Sequence, residues 1–196
     1  TSLTKDVEGG EIIRDSGGKP TGILKDNAMN LVFTVQPEDS DEMNQRALTA
    51  AMKYVAMQGV TSVHHMGGWG NLQTFKKAQK KGLLKTRIYA SVPISSWQKL
   101  ADYISQNGAG DEWLKVGGLK GFVDGSLGSH TAAFFEPYTD NLSQKGFFVN
   151  EYSDLFRWIL NGDRNNLQAA IHAIGDSAIS ELIDIFEKVQ NENGIR

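Results

Sequence analysis

All four histidines of the chain lie at or just beyond the points where predicted strands end. His64 and His65 directly follow a short apolar segment, His172 follows another, and His130 lies in a long loop after a third. Functional side chains of parallel α/β folds collect at this edge of the sheet, and neutral imidazole is a common metal ligand near pH 7. The pattern therefore indicates a metal site or an acid–base site. Because His64 and His65 are adjacent, their side chains point to opposite faces, and packing is an equal alternative for either.

A lysine interrupts an otherwise apolar strand, because Lys120 lies between Leu119 and Phe122. Burying an ammonium group is costly unless it is paired or chemically altered. One interpretation is an ion pair with Asp124 or another carboxylate. The other is a functional amine at the end of the strand, next to the loop that follows it.

The elements that must position these residues alternate between helix and strand. We predict a hairpin over about 9–26, a short helix near 27–32, helices over about 39–58, 71–81, 95–107, 152–160 and 176–189, and strands over about 60–64, 87–93, 119–123 and 167–171. Ser40 or Asp39 is the expected cap of the first long helix, and Asp176 the expected cap of the last. The stretch from Asp124 to Asn150 is irregular, and loops of that length are usually functional.

Short apolar strands alternating with helices predict parallel βαβ units. Two architectures satisfy this pattern, a doubly wound open sheet and a part of a (β/α)8 barrel. A nucleotide-binding sheet needs a glycine-rich sequence directly after a strand, and Gly67-Gly68 lacks the required spacing. In a barrel, the four strands are expected to be parallel neighbours in chain order with helices on one face only.

Composition excludes several classes of function. The net charge of −3 provides no basic field for nucleic acid, and no apolar run reaches the ~18 residues of a membrane span, so neither partner is expected. The absence of cysteine leaves His and carboxylate as the ordinary metal ligands. The first residues do not have the pattern of a signal peptide, both ends look cut, and the compartment stays unassigned.

Two motifs carry a resemblance to a known family. Residues 124–129 read Asp-Gly-Ser-Leu-Gly-Ser, and residues 172–176 read His-Ala-Ile-Gly-Asp. Together with Gly-Val-Thr-Ser-Val-His at 59–64, they resemble the YtcJ-like branch of the amidohydrolase superfamily, which includes N-substituted formamide deformylases. The motifs are specific in combination, and the resemblance extends over essentially the whole chain.

The resemblance implies an α/β fold, a partial (β/α)8 TIM barrel over 39–196 with about strands 2–5, preceded by a hairpin and short-helix insertion over 1–38. It implies one or two divalent metal ions, with zinc the expected ion. Lys120, as a carboxylated lysine, and His172 are the implied metal ligands, on one side of the sheet at neighbouring strand ends. The family's His-x-His pair, a further histidine and the acid–base aspartate have no counterpart here, so the catalytic aspartate is expected outside this chain.

The implied substrate region contains Asp124, Ser126, His130 and His65. At two of these positions the chain departs from the family, which commonly has aspartate where His65 stands and arginine where His130 stands. The resemblance thus implies a small amide-type substrate without naming it.

The predicted function is that of a metal-dependent amidohydrolase, which cleaves a C–N bond of the amide or formamide type with a metal-activated water. The alternative is a non-catalytic α/β binding domain that retains the fold without a complete site. A His-x-His pair upstream, with a histidine and an aspartate downstream, would discriminate in favour of the enzyme. The 196-residue chain alone is expected to be inactive, to retain an unmodified lysine and to self-associate as a homo-oligomer.

Overall fold

A computed structural model describes residues 4–195 and shows a mixed α/β fold. The elements in chain order are β1 (Gly10–Arg14), β2 (Pro20–Asp26), a 3-10 turn (Asn27–Met29), α1 (Asn30–Phe33), α2 (Asp41–Met57), β3 (Ser62–His65), α3 (Trp69–Lys80), β4 (Arg87–Pro93), a 3-10 turn (Ile94–Ser96), α4 (Trp97–Asn107), β5 (Leu114–Phe122), α5 (Tyr152–Arg164), β6 (Gln168–His172) and α6 (Asp176–Asn193). No helix among residues 4–195 combines the length and apolar character that crossing a membrane requires.

The described residues divide into two compact units, which we treat separately. Unit 1 contains the residues up to Pro37, Phe122–Arg157 and the residues from Ile171 onward, and unit 2 contains Glu38–Gly121 and Trp158–Ala170. Segments that are distant in sequence thus join within unit 1. The predicted domains, 1–38 and 39–196, stay a prediction.

In unit 1, β1 and β2 form an antiparallel hairpin, as predicted from the Asp15–Gly18 turn. Asp15 Oδ1 accepts the N–H groups of Gly17 at 3.0 Å and Lys19 at 2.9 Å. Gly18 has a φ of 79°, a conformation that glycine adopts without a steric penalty. The hairpin is tied to the later part of the unit by Asn27, whose side-chain amide donates to the carbonyl of Val149 at 3.0 Å.

In unit 2, the predicted helix–strand rhythm is confirmed. Ser40 caps α2, because its hydroxyl accepts the N–H of Met43 at 3.2 Å. α3 begins at Trp69, slightly earlier than predicted, because the Asn71 side chain accepts the N–H of Gly68 at 3.1 Å and turns the chain into the helix.

The main sheet has four strands in the order β3-β4-β5-β6, as predicted. The β3–β4 and β4–β5 pairs are parallel, with Val63 opposite Ile88 and Val92 opposite Leu119. A cavity on one face of this sheet is lined by α2, α3, Val63 and Ile88, so these helices pack on that face. A parallel sheet with an apolar face against helices is consistent with part of a (β/α) barrel.

Two local predictions are wrong. β5 begins at Leu114 rather than Leu119. A register shift places Ala90 opposite Val116 and Ser91 opposite Gly118, so pairing with β4 continues past Gly117. The cap of α6 is Gly175, and Asp176 is the first helical residue. Its carboxylate instead accepts the N–H groups of Phe135 at 3.0 Å and Ser177 at 2.8 Å.

Candidate functional site

Lys120 lies on the face of β5 that does not meet the helices. Its neighbour Leu119 is fully buried and points at Gly162 of α5, so strand alternation directs Lys120 to the opposite face. The Lys120 amine donates to the carbonyl of Gly121 at 2.8 Å. Partial burial lowers the pKa of Lys120 from its ordinary value, because removing water disfavours the ammonium form.

The two adjacent histidines of β3 have different environments. His65 faces the helix side, where its ring packs edge-on against Phe75 with 4.7 Å between the ring centroids and its Nδ1 accepts the N–H of Gly67 at 3.1 Å. Burial lowers the pKa of His65. His64 lies on the opposite face, 5.2 Å from the ring of Tyr89. The substrate-binding role of His65 stays a prediction that this placement does not favour, because the ring is packed between the sheet and the helix layer.

Asp124 is fully buried in unit 1, and its carboxylate is occupied by backbone N–H groups. Oδ2 accepts from Ala133 and from Gly175, each at 2.8 Å, and Oδ1 accepts from Ile174 at 3.0 Å. The substrate-binding role of Asp124 stays a prediction that this geometry does not favour, because the carboxylate has no exposed surface and already accepts three backbone N–H groups. Asp124 instead fastens the segment after His172 to the loop after β5.

His172 is held at both its backbone and its ring. Its carbonyl accepts the N–H of Val123 at 2.8 Å, and its Nε2 lies 2.8 Å from the carbonyl oxygen of Gly125. A carbonyl only accepts, so Nε2 carries a proton, and in the neutral form of the ring Nδ1 has the lone pair. A metal ligand on histidine needs such a lone pair, with the other nitrogen held by a hydrogen bond.

The loop after β5 brings Ser126 and His130 to one side of unit 1. The hydroxyls of Ser126 and Ser129 are 2.7 Å apart, and that of Ser129 lies 2.7 Å from the hydroxyl of Thr131. His130 has a φ of 56°, and its Nε2 is 3.1 Å from Asp140 Oδ2. Ser126 and His130 line an open cavity, which gives their predicted substrate-binding role a physical setting.

One residue of this cavity was missed by the sequence analysis. Asp26, at the end of β2, lines it together with the 126–130 loop, and one of its carboxylate oxygens is buried without a hydrogen-bond partner. No signal in the sequence marks Asp26, because its neighbours in the cavity lie about 100 positions later in the chain.

The described residues contain no group of three or more His, Asp or Glu side chains that could hold a metal ion. The Nδ1 atom of His172 has the chemistry of a metal ligand. The Lys120 amine would become one as a carbamate, which offers an anionic oxygen. Structural and catalytic zinc sites usually have at least three protein ligands. The assignment of Lys120 and His172 as metal ligands therefore stays a prediction.

Comparisons with known proteins found similar sequences and structures. The chain is 38% identical over 209 residues to the protein LONG AFTER FAR-RED 3 of Arabidopsis thaliana, which matches 100% of the chain and 36% of the relative. It is 32% identical to the putative amidohydrolase YtcJ of Bacillus subtilis, over 97% of the chain and 37% of the relative. A metal-dependent hydrolase from Pyrococcus horikoshii has a similar structure, with a TM-score of 0.72, 27% identity, and coverage of 90% of this chain and 37% of that one.

The chain thus spans little more than a third of the length of these relatives. The match to YtcJ confirms the resemblance inferred from the motifs around Asp124 and His172. The model of the amidohydrolase family matches residues 1–196. The chain belongs to the amidohydrolase family.

Proposed function

We propose that this chain contributes part of the active site of a metal-dependent hydrolase that cleaves C–N bonds of the amide or formamide type. The observation that carries the proposal is the geometry of His172, whose Nε2 is held by the Gly125 carbonyl and whose Nδ1 is left as a ligand atom. A side chain that only packs in a core has no need of such an oriented lone pair. Membership of the family supports hydrolysis as the reaction class.

The residues have distinct proposed roles. Lys120 and His172 hold a divalent metal, for which zinc is the first choice because imidazole and an anionic oxygen suit it. When bound, the metal supplies Lewis acidity and lowers the pKa of water toward ~7. The lowered pKa of Lys120 favours its neutral amine, which is the form that reacts with carbon dioxide to give a carbamate. Ser126 and His130 contact the substrate.

Asp124 is assigned to positioning rather than to chemistry. Its three backbone hydrogen bonds hold Ala133, Ile174 and Gly175 next to Asp124. The carbonyl of the adjacent Gly125 orients the His172 ring. Second-sphere contacts of this kind commonly alter metal affinity by about 10- to 100-fold. Asp124 therefore acts on the metal through His172.

The test is metal analysis of the product of the complete natural gene, for the parent protein and the variants His172→Asn and Lys120→Met. We expect the parent to contain a divalent metal and to hydrolyse members of a panel of amides and N-substituted formamides. Each variant is expected to lose metal and activity together. The matched control is His64→Asn, which removes a histidine outside the proposed ligand set and is expected to leave the metal content unchanged. Unchanged metal content in both ligand variants contradicts the proposal.

A further inference from the structure

The peptide group between Gly125 and Ser126 has a hydrogen-bond partner on each side. Its carbonyl oxygen, which belongs to Gly125, accepts the Nε2–H group of the His172 ring at 2.8 Å. Its N–H group, which belongs to Ser126, donates to the hydroxyl of Thr131 at 3.0 Å. Because a peptide group is planar and rigid, it joins the Thr131 hydroxyl directly to the orientation of the His172 ring.

Thr131 is fully buried and lies against this peptide group. A side chain at Gly125 would collide with the Thr131 hydroxyl, so the backbone and the hydroxyl are in close contact. Two backbone hydrogen bonds hold the same segments together: the Gly125 N–H donates to the Thr131 carbonyl at 3.2 Å, and the Thr131 N–H donates to the Ser126 carbonyl at 3.1 Å. These two bonds do not involve the threonine side chain, so a variant without the hydroxyl can keep the loop closed.

The Thr131 hydroxyl is also one end of a chain of three hydroxyls. It lies 2.7 Å from the hydroxyl of Ser129, which lies 2.7 Å from the hydroxyl of Ser126. Hydrogen bonds in such chains polarise one another, and each bond is strengthened by about 10–30%. The chain therefore supports the bond from the Ser126 N–H to Thr131, and through the peptide group the bond from Gly125 to His172.

The other neighbours of the His172 ring do not replace the Gly125 carbonyl. Asp124 Oδ1 lies 3.8 Å from Nε2, beyond hydrogen-bond distance, and already accepts the N–H of Ile174 at 3.0 Å. Phe122 packs against the ring, with 5.4 Å between the ring centroids, and an aromatic contact does not fix the direction of an N–H group. The direction of Nε2–H is therefore set by the position of the Gly125 carbonyl.

We propose that Thr131 is a positioning residue for the His172 ring. Its hydroxyl holds the peptide group between Gly125 and Ser126 at the angle at which the carbonyl meets Nε2, and so keeps Nδ1 directed as the ligand atom. A hydroxyl is suited to this role because it accepts the Ser126 N–H and still shares a hydrogen bond with Ser129. Thr131 contacts neither metal nor substrate, and it acts through the peptide group.

This inference rests on the proposed role of His172 as a metal ligand, so the experiment includes a measurement that needs no metal. Three variants are made in the product of the complete natural gene. Thr131→Val removes the hydroxyl and keeps the shape of the side chain, whereas Thr131→Ser keeps the hydroxyl and removes the methyl group. The matched control is Thr86→Val, because Thr86 is a buried threonine of unit 2 whose hydroxyl has no hydrogen-bond partner within residues 4–195.

The first measurement is the affinity for zinc, titrated against a competing chelator. We expect Thr131→Val to weaken zinc binding about tenfold, the lower end of the range for groups that orient a metal ligand. Thr131→Ser and Thr86→Val are expected to stay within about twofold of the parent. A threonine that only fills space predicts the opposite order, because valine keeps the volume and serine loses a methyl group. That opposite order, or parent-like affinity in Thr131→Val, overturns the proposal.

The second measurement is the NMR signal of the Nε2 proton of His172 in metal-free protein labelled with 15N-histidine, at alkaline pH. The signal is assigned by its loss in His172→Asn. We expect the proton to exchange slowly with water in the parent and in Thr131→Ser, and faster, with an upfield shift, in Thr131→Val. An unchanged signal in Thr131→Val overturns the proposal.

The two measurements separate this inference from the proposed function. A parent protein that binds no zinc contradicts the proposed function, and the Nε2 proton then decides the role of Thr131 by itself. If Thr131→Val does not fold, Thr131→Ser decides it. The positioning role predicts parent-like zinc affinity and a parent-like Nε2 signal in Thr131→Ser, whereas a packing role predicts that both change.

Discussion

Asp124 and Asp26 are aspartates of the same unit, and each has buried carboxylate oxygen. Asp124 is fully buried and accepts three backbone N–H groups at 2.8–3.0 Å. Asp26 has one buried oxygen without a partner and a backbone at a φ of 48°. We therefore expect the two carboxylates to contribute differently to the free energy of unfolding.

The difference shows that hydrogen-bond partners decide what a buried carboxylate contributes to stability. A carboxylate whose oxygens are all occupied by backbone donors stabilises the fold, and its removal exposes those donors to an apolar surrounding. A carboxylate held in a strained conformation with a buried oxygen that has no donor is expected to contribute little to stability. Four predictions follow from these structural differences, from the largest expected effect to the smallest.

Asp124→Ala is expected to have the largest effect. It leaves the N–H groups of Ala133, Ile174 and Gly175 buried without acceptors, and each such group costs about 1–3 kcal/mol. We expect the free energy of unfolding to fall by about 4 kcal/mol, measured by urea denaturation monitored by circular dichroism. A loss below about 1 kcal/mol would show that Asp124 is not the fastener of these segments.

Gly175→Ala and Gly128→Ala compare the surroundings of the two aspartates. A side chain at Gly175 would collide with the carbonyl of Ala133, whereas one at Gly128 meets nothing within 4 Å. We expect Gly175→Ala to lower the free energy of unfolding by about 2 kcal/mol, as overpacking commonly does, and Gly128→Ala to change it by less than about 0.5 kcal/mol. Equal destabilisation by both would remove the structural contrast between the two regions.

Asp26→Gly is expected to stabilise the protein. Relief of the strained backbone is worth about 1–3 kcal/mol, and the extra freedom of glycine in the unfolded chain offsets about 0.5–1 kcal/mol of it. A net gain of about 1 kcal/mol should appear as a higher Tm in differential scanning calorimetry. A lower Tm would mean that the Asp26 side chain supports the fold.

The smallest effect is a pH dependence from His65. Burial lowers the pKa of its folded form below the ordinary value of 6.5, so the unfolded chain binds more protons as the solution becomes acidic. The stability associated with neutral His65 is present above pH 6.5 and is lost as the pH falls through the folded pKa. We expect the Tm of His65→Gln to decrease less than that of the parent between pH 7.5 and pH 5.5, and parallel decreases would contradict this origin.

The sequence predicted much of the fold because apolar periodicity and capping residues act locally. Ser40 starts α2 where expected, and the β3–β6 order follows from the helix–strand alternation. β5 was predicted too short because Gly117 and Gly118 interrupt its apolar pattern, and only the register with the neighbouring strand shows that pairing continues through them.

The site was less predictable because burial and partners are tertiary properties. The position of Asp124 in its motif did not show that its carboxylate accepts the N–H groups of Ala133, Ile174 and Gly175. These donors lie about 10 and about 50 residues away in sequence. The choice between His64 and His65 depended on which face the helices cover, and alternation alone left it open. Asp26 carries no motif, and its environment arises from a loop about 100 positions later.

The most direct test of the contrast is the free energy of unfolding of Asp124→Asn and Asp26→Asn, measured side by side in urea. Both changes remove one charge and preserve the shape of the side chain. We expect Asp124→Asn to lose about 2–3 kcal/mol, because an amide presents an N–H group to at least one of the backbone donors. Asp26→Asn is expected to stay within about 0.5 kcal/mol of the parent. Equal losses in the two variants, or a larger loss for Asp26→Asn, would contradict the division of roles between these aspartates.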